Sequence, residues 1–80
     1  MRNTILRIKA VKVESGYPRS TLYLKISQGL WTKPVHLGER SVGWPAQEID
    51  TLNAARIAGK TNDEIRILVQ RLEAARKSAE

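Results

Sequence analysis

Residues 8–28 read IKAVKVES-GYP-RSTLYLKISQ, and this stretch decides the fold. Ile8 and Val11 stand at i, i+3 spacing, which suits a short helix ending near Ser15. Gly16-Tyr17-Pro18 then makes a turn, because glycine readily ends a helix and the residue before proline avoids helical angles. From Arg19 to Gln28 a second helix buries Leu22 and Ile26, with the aliphatic stem of Lys25 partly inward, and Gly29 closes it. Two short helices joined by a tight glycine-containing turn are the layout of a helix-turn-helix.

Working outward, the period changes after Trp31. Val35 and Leu37 alternate with His36, and Val42 and Trp44 alternate around Gly43, as in two short strands. Gly38-Glu39-Arg40-Ser41 between them reads as the polar tip of a β-hairpin over residues 34–44, with Pro34 at its start. A lone ribbon is unstable, so Trp31, Val35 and Trp44 are expected to lean on the helices, leaving His36 on the polar side. Pro45 suits the first turn of a third helix near 45–58, whose core face is Ile49, Leu52 and Ala55. Thr61-Asn62-Asp63-Glu64 is a capping box opening a fourth helix near 62–78. Along that helix Ile65, Leu68, Leu72, Ala75 and Ala79 form an apolar stripe with Val69 beside it. The expected fold is mostly α with a small β-hairpin, a winged helix-turn-helix plus a C-terminal helix. The expected division is a DNA-binding domain over 1–58 and a helical extension over 59–80.

Composition narrows the function. A chain of 80 residues makes one small domain and buries only about 60–65% of its unfolded surface, leaving little room for a deep catalytic cavity. It has no cysteine, so disulfides and thiolate zinc sites are excluded and a reducing cytoplasm is expected. No apolar run reaches the roughly 20 residues of a membrane span, and the start MRNTIL lacks a signal-peptide core. The formal net charge is +6. Residues 1–44 hold eight basic and two acidic side chains, whereas residues 45–80 hold six of each. All the excess charge therefore lies on the first half, the footprint of a nucleic-acid or anionic-surface binder.

Enzymatic patterns are missing. There is no G-K-[ST] or G-x-G-x-x-G phosphate loop, and Glu48 and Asp50 are two apart and diverge on a helix. No serine sits in a nucleophile setting. The single histidine, His36, makes a metal site improbable. No enzyme activity, cofactor or metal is expected.

The combination of Ile5-Leu6-Arg7-Ile8, Gly16, Arg19-Ser20-Thr21-Leu22-Tyr23, Lys33-Pro34-Val35, Leu37-Gly38-Glu39-Arg40-Ser41-Val42-Gly43-Trp44 and Glu48-Ile49-Asp50 closely resembles the AlpA family. These are small regulators of prophages and other mobile elements. The resemblance covers roughly residues 5–56 and implies a MerR-like, excisionase-like winged helix-turn-helix. It implies a transcriptional activator or repressor, or an excisionase that sets the direction of an integrase. Leu24 stands where the resembled pattern has arginine, and Trp31-Thr32-Lys33-Pro34 stands in place of F-P-x-P.

In a helix-turn-helix the second helix enters the major groove of double-stranded DNA. The candidate contacts there are Arg19, Ser20, Tyr23 and Ser27. Arg19 can fork onto guanine or clamp a phosphate, and Ser20 can contact DNA or cap the helix. Tyr23 combines a packing ring with a polar hydroxyl. Lys25 can lay its stem on apolar surface while its ammonium reaches a phosphate. Arg40 is the candidate at the wing tip, for a minor groove or an adjacent phosphate, with Lys33 and His36 flanking it. The fourth helix is expected to pack back on its own domain. Pairing with a second copy on adjacent half-sites, or contact with an integrase or RNA polymerase, remains open. The rival function is a protein-interaction module, such as an antirepressor or a toxin-binding partner.

Overall fold

The structure is a computed structural model that describes residues 4–78; Ala79, expected to end the apolar stripe, lies outside them. The elements are β1 (Ile5–Leu6), α1 (Ile8–Ser15), α2 (Arg19–Ser27), β2 (Val35–His36), β3 (Val42–Pro45), α3 (Ala46–Ile57), α4 (Asn62–Ala75) and a 3-10 turn at Arg76–Ser78. This is a winged helix-turn-helix. Gly16, at φ 77°, carries the chain out of α1, and its N–H donates to the Lys12 carbonyl at 3.0 Å.

The wing differs from the expected two-stranded ribbon. Ile5–Leu6 adds a third strand, and the sheet order is β1-β3-β2, with both pairs antiparallel. Two apolar residues are too short to display a period, which is why β1 leaves no pattern in the sequence. It shields the otherwise bare edge of β3, as a marginal hairpin requires. The Leu37 N–H donates to the Ser41 carbonyl at 2.8 Å, so the tip narrows to Gly38-Glu39-Arg40. Pro45 closes β3 opposite Ile5, and α3 starts one residue later than expected.

Register sets the faces of the sheet, and here the expectation is reversed. Leu6 pairs with Trp44, and Val35 pairs with Gly43. Opposed residues share a face while neighbours alternate, so Val35 and Leu37 lie on the side away from Trp44, and His36 lies on the Trp44 side. Alternation gives the period of a strand but not which face is inward. Gly43 makes the arrangement workable: a Cβ there would meet Ile5 Cγ2 at 2.5 Å, the Leu6 carbonyl oxygen at 3.0 Å and Leu37 Cδ1 at 3.1 Å. Ile5 and Leu37 close over the bare glycine instead.

Beneath the other face lies the core. Val11, Leu22, Trp31, Trp44, Ile49 and Leu52 are fully buried, and Ile65 and Val69 of α4 join the same cluster. The loop between α2 and β2 delivers Trp31 there. Gly29, at φ 76°, terminates α2: its N–H donates to the Ile26 carbonyl at 3.1 Å while the Leu30 N–H reaches the Lys25 carbonyl at 2.9 Å. This paired closure needs a left-handed residue and turns the chain inward. The Trp44 indole N–H then donates to the Thr32 carbonyl at 2.9 Å, tying the loop to the sheet.

The fourth helix starts on the capping box read from sequence. The Glu64 N–H donates to the Thr61 hydroxyl at 3.2 Å, and the Thr61 N–H donates to the Glu64 carboxylate at 3.0 Å. These bonds hold the Glu64 carboxyl below its ordinary pKa of 4.5. Leu68 and Leu72 pack against the core at half burial, while Ala75 is exposed. Three further ties dock the helix: Arg66 Nε donates to the Gln28 carbonyl at 3.0 Å, the Lys33 N–H donates to Glu73 Oε2 at 2.8 Å, and Arg76 Nη2 donates to the Lys33 carbonyl at 2.6 Å.

Candidate nucleic-acid interface

Burial divides α2 into two faces. Leu22 is fully buried, and Thr21, Lys25 and Ile26 are half-buried beside it. Arg19, Ser20, Tyr23, Leu24 and Ser27 are exposed. At 100° per residue these five fall on one continuous stripe opposite Leu22. Four of the residues expected to contact DNA therefore share a face, and Lys25 does not lie on it. The Lys25 ammonium sits 5.9 Å from the Tyr17 ring centroid, on the far side of the helix.

The stripe is braced from below. The Arg19 guanidinium lies 5.7 Å over the Tyr23 ring, and that ring meets Trp44 edge-on at 6.4 Å between centroids. Tyr23 thus links the exposed face of α2 to the sheet, as expected of an aromatic with one dry side and one wet side. Ser20 does not cap the helix. Pro18 occupies the N-cap position, no side chain closes the cap, and the Ser20 hydroxyl bonds to no other described residue. The Ser27 hydroxyl donates to the Leu24 carbonyl at 2.6 Å, leaving its lone pairs facing solvent.

The wing stands beside this stripe. Because Tyr23 packs on Trp44, the Trp44 side of the sheet is the α2 side, and register puts His36 there too. Arg40 is exposed in the tip. The Lys33 side chain is exposed at the base of the wing, while its backbone N–H and carbonyl are both held by α4 and the turn that follows.

Charge is arranged in the same sense. None of Arg7, Lys9, Lys12, Arg19, Lys33 and Arg40 is in an ion pair with another described residue. In the second half, Lys60 pairs with Glu64 at 3.8 Å, Arg66 with Asp63 at 3.1 Å and Arg76 with Glu48 at 2.6 Å. Among the described residues, no basic side chain of the first half has a carboxylate partner, whereas half of those in the second half are paired.

Sequence reading missed several residues that hold the interface in shape. Arg56 stacks 4.3 Å over Tyr17 and donates to the Ser15 carbonyl at 2.9 Å and to Asn53 Oδ1 at 3.0 Å. Asn53 Nδ2 in turn donates to the Glu14 carbonyl at 2.9 Å, so α3 fixes the C-terminal end of α1. Nothing in the spacing signals these long-range bonds. Leu24 is different: its place four after Ser20 and three before Ser27 put it on the stripe all along.

The sequence matches the family described as prophage CP4-57 regulatory protein (AlpA) over residues 4–57. It is also 38% identical over 55 residues to "Uncharacterized protein ORF88" of Enterobacteria phage P4. The shared segment is 69% of this chain and 62% of the phage protein, so the chain spans about three fifths of that relative. No solved structure matches it. With the match covering the helix-turn-helix, the wing and α3, the chain belongs to the AlpA family of prophage regulatory proteins.

Proposed function

We propose that this regulatory protein binds double-stranded DNA in a sequence-directed manner, with α2 in the major groove and the wing on the adjacent backbone or minor groove. Arg19, Ser20, Tyr23 and Ser27 are the groove-facing contacts, and Arg40, His36 and Lys33 are the contacts of the wing and its base. Lys25, on the far side of α2, reaches at most a flanking phosphate through its ammonium. Bound in this way, the protein regulates transcription of a prophage or mobile element, directs its excision, or does both. Residues 1–58 carry the DNA contacts, and residues 59–80 brace them from behind.

The observation that carries this function is the exposed α2 stripe beside a wing, on the half of the chain whose described cations lack carboxylate partners among the described residues. Phosphates supply the missing anions. The test is selection from a random duplex library followed by footprinting, with Arg19→Ala and Arg40→Ala as variants. Arg19→Ala is expected to weaken binding and, if the guanidinium forks onto a guanine, to relax preference at one base pair by about 1–3 kcal/mol. Arg40→Ala is expected to weaken binding with little change in the selected major-groove sequence. Unaltered affinity in both variants contradicts the assignment.

A protein-interaction module is the second reading, and one observation favours it. An open groove of about 600 Å³ runs beside β1, lined by Ile5, Leu6, Ala10 and Val13 together with Arg7, Lys9 and Glu14, and its exposed surface is mostly apolar. Salt-insensitive capture of a protein partner, without DNA affinity, would select that function instead.

A further inference from the structure

Leu24 is 54% exposed, and it belongs neither to the buried core nor to the half-buried side chains packed against it. It stands at one edge of the α2 stripe, midway along its length, one turn after Ser20 and one turn before Ser27. Its neighbours there offer polar chemistry: Arg19 donates, Ser20 donates and accepts, and Ser27, its proton committed to the Leu24 carbonyl, accepts. Leu24 alone can do neither. A leucine pressed onto a base edge bearing donors or acceptors would strip their water and return no hydrogen bond. The major groove presents one apolar group, the C5-methyl of thymine.

We propose that Leu24 is a specificity-determining residue that selects thymine at one position of the site by packing on its 5-methyl group. The assignment rests on the DNA-binding function proposed above. Its energy comes from removing a methyl group and the leucine tip from water, which is about 0.8 kcal/mol per buried carbon and corresponds to about fourfold in affinity.

The experiment uses the full chain and the duplex it selects from a random library. Each thymine of that duplex is replaced singly by deoxyuridine, which deletes the methyl and leaves the hydrogen-bonding edge unchanged. Affinities are measured for wild type, Leu24→Ala and Leu24→Met. The expected result is one thymine whose replacement weakens wild type about fourfold, has no effect on Leu24→Ala, and weakens Leu24→Met as it does wild type. Because the side chain is exposed, Leu24→Ala should melt with wild type, which a thermal scan verifies. If no replacement weakens wild type, or if Leu24→Ala loses as much as wild type, the role of Leu24 is overturned while DNA binding stands. If no duplex is selected at all, the DNA-binding function falls and this assignment falls with it.

Discussion

The Arg76 guanidinium grips the Glu48 carboxylate in a two-pronged pair, Nε to Oε2 at 2.8 Å and Nη2 to Oε1 at 2.6 Å. Glu48 is 5% exposed, near the start of α3, and Arg76 follows the end of α4. The same Nη2 reaches the Lys33 carbonyl at the base of the wing. One side chain therefore ties together the fourth helix, the third helix and the wing.

Arg76→Ala is expected to strand the Glu48 carboxylate in the interior. Removing one partner of a buried pair costs roughly 3–5 kcal/mol, and the lower end applies because Arg76 keeps a quarter of its side chain in water. Replacing both residues, Glu48→Met with Arg76→Met, should recover most of the loss. Urea denaturation of the three variants checks this, and a single variant as stable as wild type would contradict it.

Gly43→Ala is expected to destabilise the wing by about 1–3 kcal/mol through overpacking. The new methyl would meet the Ile5 side chain, which can move, and the Leu6 carbonyl, which moves only with β1. Adding Ile5→Ala should therefore rescue part of the loss but not all of it. Thermal melts read the order wild type, double variant, Gly43→Ala.

Neither of these two sites was legible in the sequence, whereas much of the helical frame was. Helix periodicity, the Gly16 turn and the Thr61–Glu64 box are local, so spacing alone placed all four helices within a few residues. The periodicity of α2 was equally readable, which is why Arg19, Ser20, Tyr23 and Ser27 fall on one face. The strand β1 and the inverted faces of β2 were not. Each depends on pairing or burial against distant residues, and a two-residue strand carries no period. The Arg76–Glu48 and Arg56–Ser15 ties span 28 and 41 residues, beyond any local signal.

Ile65→Ala removes a side chain of α4 that is buried in the core cluster, and such truncations cost about 2–5 kcal/mol. Because the helix packs on its own chain, the loss should be independent of protein concentration. Melting at several concentrations, with sedimentation alongside, tests this. A melting temperature that climbs with concentration in wild type, together with a halved mass in the variant, would mean that the stripe joins two copies instead.

Acid should weaken the start of α4. The Thr61 bonds hold the folded Glu64 carboxyl below its ordinary 4.5, so they favour the charged form. Their contribution is complete above the unfolded value and is lost as pH falls through the lower folded one. Glu64→Gln keeps an acceptor but cannot titrate, so its stability should change less than that of wild type across this acidic range. Parallel profiles would show that the carboxylate adds nothing as a charge.

The salt dependence of duplex affinity reports whether the cations of α2 and the wing meet DNA phosphates. Each phosphate neutralised contributes about −0.9 to the slope of log affinity against log salt. With Arg19, Lys33 and Arg40 in no ion pair to another described residue, the expected slope between about 50 and 200 mM salt is several units negative. A slope near zero, or no measurable affinity at the low-salt end, would show that these cations do not meet phosphates.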